Sequence, residues 1–240
     1  MVWLQNPPTV EMLEEDLAWE KTFAAEGKAR RARNPVLYKL GRMPKAALQK
    51  LLKRDKLLDL VSKYVAPGPI LDVGCAGGHT LAGFPTDYIP YGVEISKELS
   101  RVANEIFAQR GGSAMQGDAP TAMGKFPRGH FNGVLMGSYL EHEPRAAEVL
   151  KAARQVMHPG ARLILKVPNY ACWNRELRGK RWCGFRFPDH VNYFTPATLV
   201  QLLQATGFKV VRFGIADRMP TSDNMWLVAE AAEAKSAAAA

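Results

Sequence analysis

After the break at Pro67-Gly68-Pro69, short apolar runs alternate with stretches of helical period, and that alternation leaves few folds open. Ile70–Val73, Tyr91–Ile95, Ser113–Gln116, Phe131–Met136 and Arg162–Val167 read as strands. Between them, Ser96 is placed to cap a helix reaching about Gln109, and Pro144–Met157 forms another that stops at Pro159-Gly160. Thr195 caps a further helix over Pro196–Ala205, ended by Gly207. Two last runs, Phe208–Phe213 and Met225–Ala229, lie close enough in sequence to pair antiparallel. Parallel strands need crossover helices, and those helices cover both faces of the sheet. The predicted fold is therefore α/β: a Rossmann-like, open, mostly parallel seven-stranded sheet with an antiparallel final strand, helices on both faces and an N-terminal helical arm.

The arm is predicted over residues 1–66, with one helix from about Thr9 to Arg33 and a second from about Pro44 to Tyr64. Its charge is lopsided. Lys28 to Lys56 holds eleven Lys or Arg against one acid, Asp55, so this segment carries more than the chain's whole net charge of +9. Such a patch suits an anionic partner, whether a phosphorylated substrate, a nucleic acid or a membrane surface; a solvated helix face reads the same way. The main domain is expected over 67–230, with a lid or acceptor insertion at about 169–195, and 231–240 as a disordered tail. Three cysteines with no CxxC pair, no leader-like N-terminus and no long apolar run point to a cytoplasmic enzyme.

The chemistry starts at Ile70-Leu71-Asp72-Val73-Gly74-Cys75-Ala76-Gly77-Gly78, a strand that ends in an acid and then a run of small residues. Small residues let a ligand approach the backbone, and ligands of open α/β sheets sit at the carboxyl ends of strands. Glu94 follows about 20 residues later, where an acid holds ribose hydroxyls. Dinucleotide loops share these features, but they read GxGxxG around a pyrophosphate. Here Ala76 takes the middle position and His79 the third, and Asp72 would repel a pyrophosphate while attracting an ammonium group. That favours S-adenosylmethionine (SAM) over NAD.

With those residues in view, Asp72–Gly78 resembles motif I of the class I SAM-dependent methyltransferases, and the resemblance extends in order from about Pro69 to Ala229. Tyr91–Ser96 resembles the second-strand motif, Gly117-Asp118 the aspartate that meets the adenine amino group, and Phe131 through Leu140-Glu141-His142, Met157–Gly160 and Val167–Asn169 the fourth and fifth strands. The resemblance implies cofactor contacts from Asp72, Gly74, Cys75, Ala76, Gly78, Glu94, Ile95, Asp118, Ala119, Gly137 and Ser138. Asn132 stands where the family usually has Asp, and Ala161 where a second glycine is common. The nearest subgroups are the ubiquinone-type and saccharide-type small-molecule enzymes. Some ubiquinone-type members bind a metal through acids and His after the fourth strand. Glu141 and His142 take that place here, but Ser138 replaces a further acid, and one Glu-His pair is a poor site for a hard cation. No metal is expected.

Tyr170 to Phe194 is too long for a simple connection, which suits a lid or binding loop. It mixes aromatics with cations, a pairing that fits a flat or glycosidic, negatively charged acceptor. Tyr139, Trp173, Trp182, Phe187 and Tyr193 are the candidate acceptor contacts, and His190 the candidate base for an acceptor hydroxyl. The expected reaction is in-line methyl transfer from SAM to a hydroxyl, or less favourably an amine, of a small acceptor. Two alternatives remain: a nucleic-acid methyltransferase guided by the basic arm, and a SAM-binding protein without catalysis. Against the first, Gly137-Ser138-Tyr139-Leu140 stands where base N-methylating enzymes carry Asn/Asp-Pro-Pro-aromatic. Oligomeric state is not readable.

Overall fold

The structure, a computed structural model, describes residues 2–8, 12 and 55–232. In chain order its elements are β1 (Val2–Trp3), α1 (Lys56–Tyr64), β2 (Gly68–Val73), α2 (His79–Ala82), β3 (Tyr88–Glu94), α3 (Lys97–Ala108), β4 (Ser113–Gln116), α4 (Ala119–Met123), β5 (Phe131–Gly137), α5 (Ala146–Val156), β6 (Met157–Pro168), α6 (Trp173–Arg178), β7 (Asn192–Tyr193), α7 (Pro196–Ala205), β8 (Phe208–Arg212) and β9 (Asn224–Ala231). Seven strands form one sheet in the order β4-β3-β2-β5-β6-β9-β8. The pairs from β4 to β6 are parallel, and β9 runs antiparallel to both its neighbours. This is the Rossmann-like architecture that the alternation implied.

Strand alternation divides the core into two layers. Leu71, Val73, Val134, Met136, Leu163 and Leu165 face α4, α5 and α7, while Ile70, Leu135 and Ile164 face α1, α2 and α3. Both faces are apolar because both are covered. The strand order turns round between β2 and β5, so the crevice at their carboxyl ends is the place where this architecture binds ligands.

Ser96 accepts from the Leu99 amide to begin α3, and Thr195 forms a capping box with Thr198 at α7, as their positions suggested. Three boundaries differ from the sequence expectation. Asp55 is extended and its carboxylate accepts from the Leu57 and Leu58 amides, so a new helix starts at Lys56 rather than continuing from Pro44. Residues 44–54, like the proposed Thr9–Arg33 helix, lie outside the described residues save Met12. Pro159-Gly160 does not end a segment; β6 already begins at Met157, and the turn is absorbed as a bulge between the Met157 and Arg162 pairings with β5. At the end of the chain β9 reaches Ala231, which pairs with Phe208, and residues 233–240 lie outside the described residues. No helix among the described residues is long and apolar enough to cross a membrane.

Gly112 feeds β4, and a Cβ there would overlap the carbonyl of Pro90. That obstacle is backbone of β3 and cannot swing aside. Gly112→Ala is therefore expected to cost about 1–3 kcal/mol of folding stability. Urea unfolding of the two proteins checks this, and equal midpoints would count against it.

Candidate functional site

At the end of β2 the chain must turn sharply under a ligand, and three residues adopt positive φ there: Gly74 (+75°), Ala76 (+47°) and Gly78 (+77°). A Cβ on Gly74 would lie 2.6 Å from the Tyr139 ring, so only glycine lets β5's exit pass so close. Gly78 lets the loop sit against α3, where a Cβ would meet Phe107 at 2.9 Å. Glu94 holds the loop in shape: Oε2 accepts from the Ala76 amide at 2.8 Å and Oε1 from the Ser96 amide at 2.9 Å. One carboxylate thus ties the β2 loop to the start of α3.

These residues open onto a cleft of about 830 Å3, within the size range of small-molecule sites. Gly74, Ala76, Glu94, Ile95, Asp118, Ala119, Gly137, Ser138, Tyr139 and His190 all line it. Asp72, Cys75 and Gly78 stand behind that wall. Asp72 is 8% exposed; burial, reinforced by the nearby Glu94 charge, pushes its carboxyl up to about 7. Cys75 is turned into the α1–α3 core, and burial with the Asp72 and Glu94 charges pushes its thiol up, so it is inert.

Asp118 caps α4. Burial alone would raise its carboxyl, but hydrogen bonds from Arg145 and Thr121 outweigh that and hold it below the usual range. The Thr121 amide and hydroxyl and Arg145 all donate to one oxygen, Oδ2. Asn132, the departure from the family pattern, donates to the Pro67 carbonyl at 2.7 Å, away from the cleft.

The other lobe of the cleft is polar. It is walled by Glu141, His142, Glu143, Lys166, Arg186, Asp189 and Asn224, with Pro8 at its edge. The Tyr139 hydroxyl donates to Glu143 at 2.6 Å, and burial with that neighbouring charge raises its pKa well above the ordinary value. The lid is anchored beneath by backbone: the Val191 and Asn192 amides donate to the Glu141 carbonyl at 2.8 and 3.0 Å, and Asn192 Nδ2 to the carbonyls of Leu140 and Glu143. That anchoring lays His190 edge-on to His142, ring centroids 4.6 Å apart. His142 Nδ1 lies 3.1 Å from Asp189 Oδ1, and His190 Nδ1 2.9 Å from the Gly184 carbonyl. Burial lowers the pKa of both rings. At His142 the Asp189 hydrogen bond and the charges of Glu141 and Asp189 outweigh it and raise the pKa; at His190 the charges of His142 and Arg186 add to it, down to about 3. Burial pushes the Glu141 carboxyl up.

Four of the aromatic acceptor candidates stand off this wall. Trp182 is 1% exposed and donates its indole N–H to Asp223 at 2.8 Å, packing with Tyr170 and Phe185 as a small core beneath the lid. Tyr193 packs on Tyr170 and Phe185, while Trp173 and Phe187 point to solvent, Phe187 being 78% exposed. The sequence reading passed over Lys166, Glu143 and Arg145, while Arg186 is one of the lid cations on which the anionic-acceptor expectation rests. Lys166 pairs in register with Gly137 at the carboxyl end of β6, so the rule that ligands sit at strand ends would have found it. Pro8 carried no signal. Its segment is placed by β1, which pairs with β7 near the end of the lid, and such pairing is not readable from two residues.

Over residues 45–212 the sequence matches a family described as a methyltransferase domain. No curated protein matches it significantly. Among solved structures the fold is similar to a SAM-dependent methyltransferase from Clostridium acetobutylicum, with a TM-score of 0.58 at 10% identity, covering 78% of this chain and 97% of that one. It is similar to another from Methanosarcina mazei, at 0.55 and 21% identity, covering 72% and 97%. It is also similar to the cyclase SpnF, at 0.56 and 19% identity, covering 74% and 81%. At such identities the likeness speaks to the fold alone, and the cyclase is a reminder that fold does not name the reaction.

Proposed function

This chain belongs to the methyltransferase-domain family and is a SAM-dependent methyltransferase, and from that premise we propose that it methylates a hydroxyl of a small, anionic acceptor held in the lid lobe of the cleft. The observation that carries the reading is the continuity of the cleft, which runs from the Gly74–Ala76 loop to His190 and the cations Lys166 and Arg186.

The donor end fits the cofactor's parts. On this reading Gly74 and Ala76 would border the methionine chain, Glu94 would take the ribose hydroxyls, and Asp118 with Ala119 would meet the adenine, all five being residues that line the cleft. Asp72 supplies negative potential behind the loop for the ammonium group. SAM brings a sulfonium that is already a good leaving group, so the chain's own residues have to align the acceptor and take its proton. His190 is the candidate acceptor by position: with Nδ1–H donating to the Gly184 carbonyl, Nε2 carries the lone pair, and the burial and neighbouring charges that lower its pKa to about 3 make it a weak base that is neutral at pH 7. The acceptor oxygen forms its bond to the methyl carbon as the carbon–sulfur bond breaks, and the hydroxyl proton passes to that lone pair. Buried thiols at Cys75 and Cys172 and an exposed one at Cys183 support a reducing, cytoplasmic setting.

The test is incubation of the full chain with methyl-labelled SAM and panels of phenolic, saccharide and carboxylated hydroxyl compounds, followed by identification of the methylated atom. Transfer to amines or to nucleic acid, with the steep salt dependence of phosphate contacts, would overturn the acceptor reading. His190→Ala is expected to leave SAM affinity within about 2-fold of wild type by calorimetry while lowering turnover about 100-fold. Unchanged turnover would remove His190 from the reaction.

A further inference from the structure

We infer that Glu141, His142 and His190 form a binding site for one divalent transition-metal ion at the floor of the lid lobe. One potential ligand atom from each of these three side chains lies within 4.8 Å of the other two. The sequence hides this set, because a single Glu-His pair is too poor to hold an ion and His190 lies in a different segment. The lid's anchoring on the Glu141 carbonyl brings the third ligand in.

Three further features fit a ligand set. Each imidazole has its Nδ1 engaged, His142 with Asp189 Oδ1 and the Asp189 carbonyl, His190 with the Gly184 carbonyl, which turns Nε2 of each ring to other use. A metal-binding His is oriented in this way by a carboxylate or carbonyl on its second nitrogen. Glu141 is 1% exposed and its Oε2 is buried without a hydrogen bond, a position that is costly for a carboxylate oxygen unless a cation meets it. The set also opens onto the cleft, so three protein ligands leave a position for an exogenous oxygen, as in catalytic rather than structural sites.

The donor chemistry selects the ion. Two imidazoles and one carboxylate suit zinc, cobalt(II), nickel or iron(II); magnesium and calcium want oxygen ligands throughout. A tetrahedral ion with bonds of about 2.1 Å needs its ligands about 3.4 Å apart, so the side chains close slightly on loading. Lys166 and Arg186 stand near Glu141 and oppose a further positive charge, while Asp189 offsets them. The site itself stands apart from the acceptor reading. The use of its open position, to hold the acceptor oxygen and ease loss of its proton, rests on that reading and makes His190 a ligand rather than the direct base.

The experiment is to strip the full-length protein with chelator, load it with cobalt(II), and record visible d–d bands and bound metal per chain by elemental analysis. One ion per chain with tetrahedral-type bands is expected, displaced by zinc. Glu141→Gln and His190→Ala should each weaken cobalt(II) binding at least about 100-fold while SAM binding, measured on the same samples, reports that the fold is intact. Cys183→Ser should retain the ion. Failure of the wild type to hold stoichiometric metal, or retention unchanged in both ligand variants, overturns the site. Stripped protein that still methylates at the full rate overturns the use of the open position and leaves His190 as the base. An ion that binds as expected in a protein that transfers no methyl to a hydroxyl sinks the acceptor reading alone.

Discussion

Asp72→Asn is expected to make the ligand-free protein more stable at pH 8 and to weaken SAM binding about 100-fold. The carboxyl is raised from 3.8 to about 7 by burial first and by the Glu94 charge second. A carboxyl whose folded pKa is raised binds its proton more tightly in the folded state. Its penalty is therefore absent below about pH 4, grows as pH rises toward 7, and is complete above that. A shift of about 3 units corresponds to roughly 4 kcal/mol, of which the amide should recover a part, visible as a melting point about 5 °C or more above wild type at pH 8 and little change at pH 4. The same negative charge is what the SAM ammonium group would find attractive, and loss of one partner of a desolvated charge pair costs about 2–5 kcal/mol. Wild-type SAM affinity should accordingly rise between pH 6 and 8, as Asp72 ionises, and the variant should be flat across that range. Melting curves and calorimetry at the two pH values decide it. A variant that binds SAM like wild type would show that Asp72 is only a buried structural acid.

The fold was legible because its signals are local and repeated. Each strand alternates or runs apolar over a few residues, and caps such as Ser96 and Thr195 mark helix starts by their own side chains. The meeting of the β2 loop with Glu94 at the cleft was legible for a related reason: Gly74, Ala76 and Glu94 lie on adjoining strand ends, so their spacing in sequence encodes their meeting in space. The lid lobe offers no such spacing. His190 meets His142 through the Asn192 side chain and two backbone bonds to Glu141, contacts that leave no periodic trace. Aromatic composition also does not tell which lid residues line the cleft. Trp182 is spent on the lid's own core, because an indole N–H buried there needs Asp223, whereas the lobe is walled by charged groups instead. The basic run from Lys28 touches the described residues at its end, where Lys56 pairs with Asp217 at 3.1 Å, a structural use of one charge in that run.

Glu94→Ala is expected to abolish measurable SAM binding and to cost about 2–4 kcal/mol of stability at pH 5. The stability loss follows from the two backbone donors this carboxylate serves. Without it the Ala76 and Ser96 amides lose their acceptor, and each buried donor left unpaired costs about 1–3 kcal/mol. The loop would also be released: Ala76 sits at φ +47°, a left-handed conformation that costs a non-glycine residue about 1–2 kcal/mol and persists only while something holds it. Binding then fails twice, through the lost ribose partner and through a loop no longer shaped for the methionine chain. At pH 8 the variant should lose less stability than at pH 5, because removing the Glu94 charge lets Asp72 ionise more cheaply. The effects of Glu94→Ala and Asp72→Asn should therefore not add at pH 8: each single change already relieves the same repulsion, so the double variant should be less stable than the sum of the two single changes implies. Urea unfolding of all four proteins at both pH values closes the cycle. Strict additivity at pH 8 would mean that the two carboxylates do not sense each other, and the electrostatic account of the loop would fall with it.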